Sequence, residues 1–281
     1  IKRLRGPKGS KVTIAISRQG WKEPKTFTLL RDTIPLHSVN AFFLVPNVLY
    51  ARITNFQENT TDELKNAIAG LAKEQKVNGM ILDIRNNPGG LLNQAVSVSD
   101  IFLSAGTIVY TKGRTEEQNM RFSAHNSGDK PRFPLVILVN GGTASAAEIV
   151  AGALQAHKRA ILVGTRTFGK GSVQTIIPLP EGAALRLTTA RYYTPDNRSI
   201  QALGISPDVE VAPGAASAAK TGQEKQMREA DLPQHLPGSG PLAPGPRLSN
   251  EAKKRLASDN QLQTALNILK SLQLYSQSDK N

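Results

Sequence analysis

Ser145 stands where several requirements of acyl transfer meet. It follows an apolar, strand-like run at 135–139 and a Gly141-Gly142 turn, and it precedes a stretch of small residues at 146–157 with helical spacing. A serine so placed lies under the unpaired N–H groups and the positive end of a helix dipole, where a developing anion is stabilised. A serine that attacks a carbonyl needs such preorganised donors for the tetrahedral oxygen. Taken alone the same residue reads as a plain helix N-cap, so the remaining residues decide.

A nucleophilic serine needs a base. The histidines are His37, His125, His157 and His235, and His157 is over three helical turns from Ser145, roughly 18 Å along the axis. Lys170 fits better, because it sits between Gly169 and Gly171 just past the expected strand 160–164, and glycines there allow the backbone to turn the amine inward. A lysine acts as a general base only when neutral, which requires a site that disfavours its charge. Gln174 follows at the start of the next strand, where an uncharged amide could hold the amine. The segment from Gly164 to Lys170 also has the spacing of a phosphate-binding loop. That reading fails because Gly171 stands where a magnesium-binding Ser or Thr belongs, and a strand follows instead of a helix.

The run Arg85-Asn86-Asn87-Pro88-Gly89-Gly90 closes a second buried strand. Either Gly89 or Gly90 could donate to an oxyanion beside the Ala146 N–H, the alternative being a tight strand-to-helix turn. Asp83 has no acidic partner and reads as structural.

The elements that must carry these residues are legible in the pattern. Strands are expected at 11–18, 25–30, 48–55, 79–84, 135–139 and 160–164, with helices from Thr61, over 91–103 and over 146–157. Strand, helix and strand in succession argue a parallel α/β core, with ligands at the carboxyl ends of the strands, where both glycine turns fall. Residues 173–179 and 184–190 read as an added hairpin around Pro180-Glu181-Gly182. Beyond Val211 proline and glycine accumulate as in a linker, with room for one short helix, and 259–274 reads as a last amphipathic helix docked on the domain.

The chain has 281 residues, 39% apolar and 20% charged, with a formal charge of +13, a composition that excludes wholesale disorder, collagen and coiled coil. Without cysteine there is no disulfide, thiol nucleophile or thiolate metal site, and the histidines lack ligand spacing, so neither a cofactor nor a metal is expected. Absent cysteine also suits an oxidising compartment. The basic excess gathers among Lys2, Arg3, Arg5, Lys8 and Lys11 and their neighbours without an aromatic stacking platform. This favours a solvated face or attraction to anionic surfaces over nucleic acid. No apolar run has the ~20 residues of a membrane span. The sequence opens at Ile1 without a basic and apolar leader, so a targeting segment is expected to have been processed off or never included.

Four ordered motifs carry a resemblance. They are Leu82-Asp-Ile-Arg-Asn-Asn-Pro-Gly-Gly-Leu-Leu, Val139-Asn-Gly-Gly-Thr-Ala-Ser-Ala-Ala-Glu-Ile-Val-Ala-Gly-Ala-Leu, Thr167-Phe-Gly-Lys-Gly-Ser-Val-Gln and Tyr193-Thr-Pro-Asp-Asn-Arg-Ser-Ile-Gln. Over residues 48–211 the chain resembles the carboxyl-terminal processing proteases, the S41 or tail-specific peptidase family. The resemblance implies a serine endopeptidase that trims or degrades proteins from an apolar C-terminus outside the cytoplasm, in a bacterial periplasm or cell envelope. By position, Ser145 matches the nucleophile, Lys170 the general base, Gln174 the residue orienting it, and Ala146 one oxyanion donor, with Gly89 or Gly90 supplying the other. The implied fold is a crotonase-like or Clp-protease-like α/β core. Residues 1–20 would be the C-terminal remnant of a PDZ domain, 21–211 the protease core, 212–250 a linker and 251–281 a helical tail. The expected partners are protein or peptide substrates with apolar C-termini, with room for an adaptor or regulatory protein, peripheral membrane association and a homo-oligomer. A resting or inactive peptide-binding relative is the alternative, and a crotonase-like acyl-CoA enzyme, which leaves Lys170 unexplained, is a third reading.

Overall fold

The computed structural model describes residues 3–32, 37–126, 128, 130–214 and 249–278. Most of the expected linker, its short helix and His235 lie outside the described residues. The continuous apolar runs become strands β5 (Gly79–Asp83) and β8 (Leu135–Val139), with every residue buried. Successive strand side chains point to opposite faces, so such runs need cover on both sides of their sheet.

That sheet also contains β3 (Val39–Val45), β4 (Val48–Ile53), β9 (Ile161–Gly164) and β12 (Val209–Glu210), in the order β12-β9-β8-β5-β4-β3. All neighbours are parallel except β3 with β4. Helices α1 (Thr60–Glu74), α2 (Leu92–Phe102) and α3 (Ala146–Ala156) pack Leu64, Val98, Phe102, Val150 and Leu154 with Leu49, Met80, Leu82 and Ile137 in one core. The alternate residues Ile81, Val136 and Leu138 meet Leu256, Leu262, Leu266 and Leu269 in a second core. Those leucines belong to α4 (Asn250–Ser258) and α5 (Asn260–Ser278), so the C-terminal helices cover the face that α1 to α3 leave bare. The pattern places a helix over 259–274 within a helical tail from residue 251; the tail holds two helices, α4 and α5.

The added hairpin proves to be half of a larger element. Strands β10 (Ser172–Pro178) and β11 (Ala184–Tyr193) continue into β6 (Thr107–Gly113) and β7 (Arg121–Ser123), a four-stranded antiparallel sheet in the order β10-β11-β6-β7. The architecture is thus mixed α/β, a mainly parallel sheet with an antiparallel one.

Strands β1 (Lys11–Ile16) and β2 (Lys25–Leu30) form a separate antiparallel hairpin in which Lys11 pairs with Leu30 and Ile16 with Lys25. Arg31 braces it by donating to the carbonyls of Arg3 and Leu4 and to the Ser10 hydroxyl. The chain divides into one unit of Ile1–His37 and another of Ser38–Asn281. Among the described residues no helix is long and apolar enough to cross a membrane.

Candidate active site

Strands β5 and β8 are parallel neighbours, so the turns after them lie side by side. Side chains stitch the two turns together. Asn140 Oδ1 accepts the N–H groups of Gly142 and Asn86, the Thr143 hydroxyl donates to the Ile84 carbonyl, and the Ala144 N–H donates to the Asn87 carbonyl. The chain then reaches Ser145 at φ 56° and ψ −117°, a backbone conformation that non-glycine residues rarely adopt. Local strain of this kind persists where the surroundings over-determine it, and a sharp strand-to-helix turn raises a side chain above the sheet edge.

The over-determination comes from Glu148, fully buried in the first turn of α3. Its Oε2 accepts the N–H of Ser145 and the N–H of Lys170, each at 2.8 Å. Its Oε1 accepts the Thr167 hydroxyl at 2.5 Å and the Gly169 N–H at 2.7 Å. One carboxylate therefore fixes the backbone of the serine turn and of the lysine loop together. The Phe168 N–H adds a bond to the Thr143 carbonyl at 3.0 Å.

The glycine turn closes on the same place. Gly89 has φ +97°, and a Cβ on it would stand 2.8 Å from Ser145 Cβ and 2.9 Å from the Ala146 nitrogen. Gly90 has φ +143° and approaches Phe56 so closely that a Cβ would lie 2.1 Å from its carbonyl oxygen. The Gly89 N–H is committed to Asn87 Oδ1 at 2.9 Å. The bridge to Phe56 uses the Gly89 carbonyl and the Leu91 N–H, which leaves the Gly90 N–H outside it. The Ala146 N–H, in the first turn of α3, is a donor that the helix itself leaves free. An oxygen held between Ala146 and the glycine turn would meet donors and the positive end of α3.

Arg85 opens this turn and is held from both sides. Its Nε and Nη2 donate to the buried Asp83 at 3.0 and 2.7 Å, and Asp83 also accepts the Tyr50 hydroxyl at 2.7 Å. Its Nη1 and Nη2 donate to Asp259 at 3.0 and 2.7 Å, and Nη1 reaches Gln261 Oε1 at 2.9 Å. Burial opposes the charge of Arg85, but the hydrogen bonds and charges of Asp83 and Asp259 prevail and raise its pKa. Burial and the neighbouring Asp83 push the Tyr50 hydroxyl well above its ordinary value.

The side chains expected to act are less tightly assembled than their backbones. Lys170 is half-buried, and Gln174 is exposed on β10, just past an irregularity in the pairing with β11 between Val173 and Gln174. Among the described residues no hydrogen bond links the Ser145 hydroxyl, Lys170 Nζ and the Gln174 amide to one another. No three His, Asp or Glu side chains among the described residues converge as metal ligands.

The model of peptidase family S41 matches residues 47–211, more than half of the chain. The chain belongs to peptidase family S41. Within its S41 segment lie Ser145, Lys170, the glycine turn and Glu148, whereas α4 and α5 fall outside it. The chain is 45% identical over 241 residues to a carboxy-terminal-processing protease of Bartonella bacilliformis, covering 85% of this chain and 55% of that protein. It is 45% identical over 210 residues to a carboxyl-terminal-processing protease of a Synechocystis species, covering 73% and 48%. The photosystem II D1 C-terminal processing protease superposes with a TM-score of 0.57 at 35% identity, over 74% of this chain and 57% of that one. The S41 chain thus spans about half the length of the curated relatives it matches.

Sequence reasoning missed the parts of Glu148, Asn87 and Arg85. The signal for Glu148 was present, as a Ser-x-x-Glu capping box whose acid sits in a helix apolar from Ile149 to Leu154. For Asn87, buried and bonded to the Ile53 carbonyl and the Gly89 N–H, its place before Pro88-Gly89 was the cue.

Proposed function

We propose that this chain is the catalytic core of a serine endopeptidase of the carboxyl-terminal processing type, acting on proteins with apolar C-termini outside the cytoplasm. The observation that carries the reading is the strained Ser145, set beside a free helix-end N–H and a glycine turn and tied through Glu148 to the loop of Lys170. In this mechanism neutral Lys170 takes the Ser145 proton as the hydroxyl attacks the scissile carbonyl. The tetrahedral oxygen is held by the N–H of Ala146 and one N–H of the glycine turn, and the Gly90 N–H, which has no hydrogen-bond acceptor among the described residues, favours that residue over Gly89. Collapse expels the amine, which takes up a proton from Lys170, and leaves an acyl-serine. Lys170 then activates water to release the acid. Gln174 would orient Lys170 once brought against it.

On the same reading the core is of the crotonase-like or Clp-protease-like kind. Residues 1–20 would be the last turn and strand of a PDZ domain that captures a substrate carboxylate.

The missing hydrogen bond between Ser145 and Lys170 and the exposure of Gln174 favour a second reading, a resting or peptide-binding form of the same fold. The test is incubation with an unfolded reporter ending in an apolar tail, beside Ser145→Ala and Lys170→Ala, with products identified by mass spectrometry. Cleavage by the wild type alone supports the dyad. Equal cleavage by Ser145→Ala refutes it. No cleavage by any of the three, with no labelling of Ser145 by a fluorophosphonate, selects the second reading.

A further inference from the structure

The S41 match ends at residue 211, yet the turn beside Ser145 is gripped from residue 259. Arg85 uses all five of its N–H donors. Two go to Asp83, two to Asp259 and one to Gln261, at 2.7 to 3.0 Å. The Asp83 pair is local, two residues away on the same strand end. The Asp259 pair joins elements 174 residues apart. Asp259 is itself fixed, because its Oδ1 also caps α5 by accepting the Leu262 N–H at 3.0 Å, while α5 is seated through Leu262, Leu266 and Leu269. The guanidinium is therefore clamped between the sheet and a rigid helix start, at the first residue of the turn that ends in Gly89 and Gly90. Bidentate pairing of a planar guanidinium with two carboxylates fixes orientation as well as position.

We propose that Asp259 is a positioning residue for the active site, acting through Arg85 to hold the glycine turn against Ser145 and Ala146. The C-terminal helices are on this view a working part of the catalytic unit and more than a cover for the sheet. The proposal rests on the protease reading for its consequence in turnover, but the coupling itself is a property of the fold.

Asp259→Asn separates the two roles of the residue, since asparagine caps a helix as well as aspartate does but cannot accept a bidentate guanidinium. Amide hydrogen exchange on the full chain should rise about tenfold or more over residues 84–91, as two charge-assisted hydrogen bonds are lost, and stay within about twofold over β8 and β9. Asp259→Ser, which also retains a cap, should behave alike. Where the wild type cleaves the reporter, both variants should lower kcat with little change in KM. Unchanged exchange at 84–91, or an equal rise across the whole sheet, overturns the proposal. If the wild type cleaves nothing, the exchange pattern still decides the coupling, while fluorophosphonate labelling of Ser145 separately reports on the protease reading.

Discussion

Ser145 and Lys170 share one hydrogen-bond acceptor: the backbone N–H groups of both end on Glu148 Oε2 at 2.8 Å. The distance between the serine turn and the lysine loop is thereby set by a buried carboxylate, whether or not the two side chains touch. Groups supported in this way are positioned in advance of any ligand.

Glu148→Gln should consequently be severe. An amide keeps the shape but has only one accepting oxygen, so two of the four donors now served lose their partner. At roughly 1–3 kcal/mol for each unpaired buried group, partly relieved by rotation of the Thr167 hydroxyl, about 2–4 kcal/mol of stability should be lost. Urea unfolding measures this, and turnover should fall through kcat. Wild-type stability and turnover in the variant would show that Glu148 is no brace.

Gly89→Ala tests the closeness of the glycine turn to Ser145. The new methyl would lie within 2.9 Å of Ser145 Cβ and the Ala146 nitrogen, at a φ of +97° that alanine resists. The turn must retreat, and reporter cleavage should drop by about 100-fold or more. Circular dichroism should show the sheet intact, and full cleavage by this variant would separate the turn from the chemistry.

Leu269→Ala probes the second core. Leu269 is fully buried against the face of the sheet opposite α1 to α3. Loss of its side chain leaves a cavity worth about 2–5 kcal/mol. A chemical denaturation midpoint close to that of the wild type would mean that the C-terminal helices add little to the fold.

The ion pair at Arg85 gives a pH dependence with a definite sign. Partial burial works to raise the Asp259 pKa, but Arg85 and the N–H groups of Leu262 and Gln261 bring it below its ordinary 3.8. The folded form then binds this proton less readily than the unfolded chain. The stabilisation is complete above the ordinary value and is lost as pH falls through the folded one. The gap in Tm between wild type and Asp259→Asn should stay constant from about pH 7 to about pH 5 and shrink below about pH 4. Asp100 and Asp196 also lie below their ordinary values, each against the pull of burial, so the gap and not the wild-type melt alone carries the information.

What was legible in the sequence was what depends on short-range pattern. The apolar runs of β5 and β8, the glycine turns after them and the small-residue helix behind Ser145 could be read directly because period and punctuation agree there. Strands β3, β6, β7 and the two-residue β12 escaped. In β3 four of the seven residues are only partly buried, so polar and apolar positions do not alternate cleanly, and β7 is three residues long. Yet β6, Thr-Ile-Val-Tyr-Thr-Lys-Gly, has β-branched and aromatic residues that could have been recognised. Gln174 shows a different limit. An irregular register between Val173 and Gln174 resets which side chains face which way, and that is a property of the pairing with β11, not of the local residues. The second grip on Arg85 was beyond reach for the same reason, since nothing near residue 85 announces Asp259.

The separation of Arg85 from Asp259 also orders events in time. During synthesis β5 and β8 emerge long before α5, so a nascent chain carries one greasy side of its sheet uncovered while the residues between Val139 and Asn260 are made. Contacts of such span are slow to close and add to the height of the folding barrier. A polypeptide caught midway would thus present Ser145 without the clamp behind its turn, and the arrival of α5 would act as the clock that closes an aggregation-prone intermediate over its bare sheet face.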